Sequence, residues 1–187
     1  MLYTLSAPSG TGKTTIVKEV MKSNPELKLS VSATTRSIRS SEVNGKDYFF
    51  ITDNEFREKI ENNEFVEYEK IYDDYYGTLK KQIDDYIRNG FDIIFDIDVK
   101  GAFSVKNYYK DITKMIYIQP PDKNEVIKRL KNRGTENEKQ IKIRLERYEW
   151  EMSKINEFDY IVVNDNLLSA IEKVNKIIKQ NIKIKEN

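Results

Sequence analysis

The stretch from Met1 to Thr15, MLYTLSAPSGTGKTT, limits what this chain can fold into more than any other. Leu2 to Leu5 is a short apolar run suited to a buried strand. Ala7, Pro8, Ser9, Gly10, Thr11, Gly12, Lys13, Thr14 and Thr15 follow, and Ile16, Val17, Val20 and Met21 then mark the apolar stripe of a helix. Strand, glycine-bearing loop, lysine, hydroxyl and helix in that order form a phosphate cradle. Backbone N–H groups of such a loop turn inward, and the helix N-terminus adds unpaired donors and partial positive charge. Gly10 and Gly12 let the backbone approach an anion closely. Lys13 is placed to reach phosphate oxygens, and the Thr14 hydroxyl is suited to ligating Mg²⁺. Ala7 stands where the strict motif opens with Gly, and it is the smallest replacement available.

Further chemistry is bounded by what is missing. The 187 residues contain no Cys and no His, which removes disulfides, thiolate or imidazole zinc sites, and His-dependent nucleophilic catalysis. Phosphoryl transfer survives this restriction, because it depends on positioning and charge stabilisation more than on a titrating base. With 32 Lys+Arg against 31 Asp+Glu, charge alone gives no reason to expect nucleic acid or a membrane as partner. No apolar run approaches a transmembrane length. Met1 leads directly into the first strand and leaves no room for a signal peptide, so a cytoplasmic location is expected.

The rest of the chain alternates strand and helix. LKLSVS, residues 27–32, alternates like a half-buried strand, and short strands are expected at 48–51 and 65–71. Asp53 is expected to cap a helix to about Asn62, and residues 79–88 read as helical up to Asn89-Gly90. FDIIFDI, residues 91–97, is nearly all apolar, as a strand buried on both faces is. Helices are expected from Val99 and over 122–132, and strands at 115–118 and 160–163. Ile141, Leu145, Tyr148, Met152 and Ile155 form one helical stripe, and Leu167, Ile171, Val174 and Ile178 another. The pattern predicts an α/β fold with a mainly parallel sheet flanked by helices, with ligands beyond the C-terminal strand ends. Gly10–Thr14 and Asp96–Asp98 fall at such ends, while residues 33–86 read as an inserted subdomain.

Ser30-Val31-Ser32-Ala33-Thr34-Thr35-Arg36, then Arg39, Glu42 and Gly45-Lys46-Asp47-Tyr48, resemble the nucleotide-monophosphate segment of guanylate kinases. Phe65-Val66-Glu67, Tyr75-Tyr76-Gly77-Thr78, Asp96-Ile97-Asp98, Arg133-Gly134-Thr135 and Val162-Val163-Asn164-Asp165 continue the resemblance in order over nearly the whole chain. Ile38, Ser41 and Asp73-Asp74 depart from the family pattern of Pro, Gly and Gly-Asn.

The resemblance implies one domain of P-loop NTPase type. Its core would be residues 1–32, 87–121 and 156–187, with an inserted mixed α/β GMP-binding subdomain at about 33–86 and a small helical lid at about 122–155. It implies Mg²⁺-dependent phosphorylation of GMP, and of dGMP, by ATP in purine metabolism, by a monomer or simple homo-oligomer with ATP and GMP as its small-molecule partners.

It also implies site residues. Ala7, Pro8, Ser9, Gly10, Thr11, Gly12, Lys13, Thr14, Thr15 and Arg129 would hold ATP, with Asn164 and Asp165 toward the adenine. Glu67 would read guanine, whose N1–H and 2-amino group are adjacent donors that one carboxylate accepts together, whereas adenine presents a lone pair there. Ser32, Gly77, Thr78 and Asp98 would complete the base pocket. Arg36, Arg39, Tyr48 and Tyr76 would grip the GMP phosphate, since two anions must meet. Lys13, Arg39, Arg133 and Arg144 would act on the transferring phosphoryl. Thr14 would bind Mg²⁺, and Asp96 would either hold it through water or cap the following helix. Arg147 reads best as a surface arginine and Tyr148 as core. A catalytically weak scaffold module of the same family is the alternative, but such modules usually lose the Gly-Lys-Thr that is present here. A GTPase would need an Asn-Lys-x-Asp motif, which is absent.

Overall fold

The structure, a computed structural model, describes residues 1–8, 11–71, 73–122, 126 and 138–185. Ser9, Gly10 and residues 123–125 and 127–137 of the expected lid, Arg129 and Arg133 among them, lie outside the described residues.

β1 (Leu2–Ser6) is buried along its whole length because it lies in the middle of a parallel sheet. It pairs with β7 (Ile93–Asp96) on one side and β8 (Thr113–Gln119) on the other. β2 (Lys28–Leu29) extends the sheet beyond β7, and β9 (Tyr160–Val163) beyond β8. Successive strand residues point to opposite faces, so the apolar runs divide between two layers. Tyr3, Leu5, Ile94, Ile116 and Ile118 pack against α1 (Lys13–Ser23) and the last helix, α6 (Leu167–Lys185), through Ile16, Val17, Val20, Val174 and Ile178. Leu2, Ile93, Phe95, Met115 and Tyr117 face Ile83 of α3 (Lys80–Arg88) and Val99, Ala102 and Val105 of α4 (Val99–Tyr109). The chain runs outward from β1 in both directions, so the crevice at its C-terminal end is the topological switch point where such folds bind ligands.

A second sheet, ordered β4 (Phe49–Phe50), β3 (Ala33–Thr34), β6 (Asp74–Leu79), β5 (Phe65–Ile71), stands beside the first. Its own small core is aromatic: Phe56 of α2 (Asp53–Glu61) stacks on Phe65 at 4.3 Å and on Tyr75 at 5.1 Å between ring centroids. Thr52, not Asp53, caps α2. The Thr52 side chain accepts from the Glu55 N–H while Glu55 accepts from the Thr52 N–H, a reciprocal capping box.

The expected single strand over 27–32 is divided. Only Lys28–Leu29 joins the main sheet, and the chain then crosses to the second sheet at Ala33–Thr34. Alternation marks an extended segment but does not say which strand it pairs with. β6 was hidden by Gly77, which local propensity disfavours in a strand. Tertiary contact requires that glycine. A Cβ there would lie 2.9 Å from the Phe65 ring and 3.0 Å from the Glu67 carbonyl oxygen. Gly77→Ala is therefore expected to destabilise the fold by about 1–3 kcal/mol, read as a lowered Tm. An unchanged Tm would show that β5 and β6 can separate freely.

The last long helix before β9 is α5 (Glu138–Ser153), and a 3₁₀ turn over Ile155–Glu157 ends the expected stripe. Tyr148 is 8% exposed and packs with Val126, as a core residue does.

Candidate functional site

The loop after β1 is shaped by local sequence. The Thr11 hydroxyl donates to the Pro8 carbonyl at 2.6 Å, closing the turn. Gly12 sits at φ 87°, ψ 11°, a left-handed conformation that glycine adopts without steric cost. Ala7, Pro8 and Thr11 are buried beneath the loop, whereas Thr14 and Thr15 are exposed in the first turn of α1.

Lys13 extends across to the end of β7. Its Nζ lies 2.7 Å from Asp96 Oδ1 and donates to the Ile97 carbonyl at 2.5 Å. Of the two roles open to Asp96, capping belongs to another residue. Asp98 is the N-cap of α4, its Oδ1 accepting from the Gly101 N–H at 2.7 Å. Asp96 is left as the acidic partner of Lys13.

Asn164 is tied to the loop after β1. It is 5% exposed, and its side-chain amide donates to the Thr11 carbonyl at 2.6 Å, while its backbone N–H donates to Gln119. A Cβ on Gly12 would lie 3.1 Å from that amide nitrogen. Asn164 therefore braces the phosphate loop. Asp165 is exposed, and its Oδ1 accepts from the Asn166 N–H.

The second sheet carries the other half of the site. Glu67 on β5 accepts from the Thr78 hydroxyl on β6 at 2.6 Å. A Cβ on Gly101 would stand 3.4 Å from Glu67 Oε2 and 3.2 Å from Asp98 Oδ1, so both carboxylates border the first turn of α4. Burial pushes the Glu67 carboxyl up to about 7; the neighbouring Asp98 and Glu69 charges add to this, against the pull of the Thr78 hydroxyl. Ser32 is half-buried beside β3, and its carbonyl accepts from Phe49.

Arg36, Tyr48 and Tyr76 are gathered together. Glu42 holds the Arg36 guanidinium through both oxygens, at 2.7 and 3.0 Å. The Arg36 guanidinium carbon lies 5.4 Å from the Tyr48 ring centroid, and Tyr48 meets Tyr76 edge to face at 6.0 Å. Burial raises the Tyr48 hydroxyl, which stays a neutral donor. Arg39 lies on the exposed loop, its N–H bonded to Glu42 at 2.9 Å.

Sequence reasoning missed a further group. Arg147 of α5 meets Asp98, lies 3.5 Å from Glu69 of β5, and donates through Nε to Glu151 at 3.0 Å. It is an ionic hub and not the surface arginine expected. Burial alone would raise Asp98. Hydrogen bonds from Glu69 and the Gly101 N–H, with the Arg147 and Lys13 charges, outweigh burial and hold it low. Glu69 and Glu151 are both raised, chiefly by burial. Arg144 is half-buried on α5, one turn before Arg147. The Arg147–Glu151 spacing of four on one helix is the only local signal of this group, and it does not reveal Asp98 or Glu69, which are distant in sequence.

The loop lysine paired with Asp96, the Glu67–Thr78 pair bordering Asp98, and the Arg36–Tyr48–Tyr76 group are the elements of the candidate site. The guanylate kinase family model matches residues 1–181. The chain belongs to the guanylate kinase family. It is 46% identical over 178 residues to a guanylate kinase of Thermotoga maritima, covering 95% of this chain and 86% of that protein. It is 43% identical over 178 residues to one of Rickettsia prowazekii, covering 95% and 90%. Among solved structures, the crystal structure of guanylate kinase from Anaplasma phagocytophilum superimposes with a TM-score of 0.76 at 26% identity, covering 97% of this chain and 85% of that one.

Proposed function

We propose that the protein transfers the γ-phosphoryl group of ATP to GMP, giving ADP and GDP. The observations that support this reading are the Thr78 hydroxyl bonded to the buried Glu67 carboxylate, the shared border of Glu67 and Asp98 on Gly101, and the pairing of Lys13 with Asp96 two residues before Asp98. A carboxylate accepting two adjacent donors selects guanine, and the loop selects polyphosphate. In this reading Lys13 and the loop from Ala7 to Thr15 hold ATP. Arg36, Tyr48 and Tyr76, with Arg39, take the GMP phosphate, and Glu67, Thr78, Ser32, Gly77 and Asp98 form the base pocket. Arg144, with Arg129 and Arg133, which lie outside the described residues, supplies cations around the transferring group. Family membership among proteins named as enzymes gives the scaffold alternative no support.

Magnesium fits the residues present. Among the described residues no group of three or more carboxylates could cage a metal unaided. That suits Mg²⁺, which keeps several waters and binds through one or two protein oxygens plus substrate phosphates. The exposed Thr14 hydroxyl and Asp96 would hold it, and when bound it would neutralise charge on the phosphates. No helix among the described residues is long and apolar enough to cross a membrane. A cytoplasmic setting, action on dGMP as well as GMP, and the division into core, GMP-binding subdomain and lid belong to the same reading.

Coupled ADP-release assays with GMP, dGMP, AMP, CMP and UMP in turn test it. Turnover is expected with the guanine nucleotides, and at least about 10³-fold less with the others. Comparable turnover with AMP would overturn the reading.

A further inference from the structure

Arg147 joins three carboxylates that three different elements supply. Its guanidinium meets Asp98 at the N-terminus of α4 and Glu69 on β5, and its Nε donates to Glu151 one turn along α5. Glu151 is buried, its side chain 4% exposed, so it fixes the plane of the guanidinium from below. Arg147 in turn engages Asp98 Oδ2. The other Asp98 oxygen is already taken by the Gly101 N–H, and the Ser6 hydroxyl donates to the Asp98 backbone carbonyl. Capping of α4 needs only the first of these contacts. The Arg147 contact does something else, setting the direction of a carboxylate that borders Glu67 across Gly101.

Electrostatics points the same way. Glu67, Glu69 and Asp98 crowd one small volume, and the Asp98 and Glu69 charges both work against ionisation of Glu67. Partly buried ion pairs contribute little net stability, since desolvation offsets their attraction. The cluster is therefore better explained by what it orients than by what it stabilises.

We propose that Arg147 is a positioning residue for guanine recognition: oriented by Glu151, it holds the Asp98 carboxylate toward the GMP pocket and ties that pocket to β5 through Glu69. This rests on the reading above that Asp98 contacts GMP. In this role Arg147 acts on GMP through Asp98, its own partners being the three carboxylates.

Arg147→Ala alone would strand the buried Glu151 carboxylate and could fail to fold. The test therefore compares Arg147→Ala/Glu151→Gln with Glu151→Gln, using thermal melts and steady-state kinetics in GMP and in ATP. The double variant is expected to melt close to its Glu151→Gln reference. Its KM for GMP should rise about tenfold, the loss of one charged hydrogen bond, with KM for ATP unmoved. A purely structural role would leave KM for GMP unmoved in the folded double variant, or raise both KM values together, and either result overturns the proposal. Asp98→Asn separates the two levels. If it raises KM for GMP while Arg147→Ala/Glu151→Gln does not, the Arg147 role fails alone. If Asp98→Asn itself leaves KM for GMP unchanged, the reading of Asp98 fails and takes the Arg147 role with it.

Discussion

Lys13→Met is expected to leave a folded protein whose kcat has fallen about 10³-fold or more, the scale seen when a preorganised charge donor is removed from a transferring group. The structure explains why folding survives. Lys13 lies outside both layers of the core, and its amine is engaged by Asp96 and the Ile97 carbonyl at the crevice. Both side chains of the ion pair are partly solvated, 18% exposed for Lys13 and 24% for Asp96, so water can take over when the pair is lost. Methionine keeps much of the side-chain length without the charge, so packing along α1 is preserved. What disappears is the cation held between the ends of β1 and β7, where the phosphate loop opens. A coupled ADP-release assay with a parallel thermal melt makes the comparison. A kcat within tenfold of the parent, in a protein that still melts cooperatively, would show that the loop does not serve the transferring phosphate.

Glu67→Gln is expected to raise KM for GMP by about 10–100-fold with little change in KM for ATP. The amide keeps one acceptor but turns a donor toward a guanine donor. The raised pKa adds a dependence on pH that the variant lacks. Glu67 titrates near 7 in the ligand-free protein, and only its ionised form accepts both guanine donors. As pH falls through 7 the ionised fraction shrinks, so KM for GMP should climb, approaching about tenfold per pH unit. Glu67→Gln should lack that limb. GMP's own phosphate titration is common to both proteins and cancels in the comparison. A parent and variant with parallel pH profiles would remove Glu67 from the base pocket.

Stability should move in the opposite sense to function. The folded-state pKa of Glu67 lies above its unfolded value of 4.5, so folding favours the protonated form. The stability this confers is complete below the unfolded pKa and is lost as pH rises from about 4.5 through 7. Above pH 7 the parent holds a buried, charged carboxylate, and Glu67→Gln should melt higher than it does. Below pH 4.5 the two melts should converge. A residue that costs stability where it is most useful is what a guanine reader kept dry for specificity would be.

Much of this was legible in the chain itself, wherever a signal is carried by neighbours in sequence. Leu2–Leu5 running into Gly12-Lys13-Thr14 declared a buried strand and a helix start, and Thr52-x-x-Glu55 carried the capping box even though Asp53 was the residue expected to cap. Phe65–Ile71 and Tyr160–Val163 stand where their residue patterns put them. These features depend on backbone sterics, side-chain period and hydrogen bonds between near neighbours, all of which are local.

Pairings between distant segments were decided only by tertiary structure. Alternation in 27–32 did not say that Lys28–Leu29 would join one sheet and Ala33–Thr34 another. Asn164 is 153 residues from the Thr11 carbonyl that claims its amide. Arg147 stands 49 residues from Asp98 and 78 from Glu69, and on its own helix it is indistinguishable from a solvated arginine. The physical reason is the same in each case. A charged or amide side chain has no fixed partner in sequence, so its role depends on which unpaired oxygens or donors the fold carries into its reach, and on how much water the fold leaves there to compete.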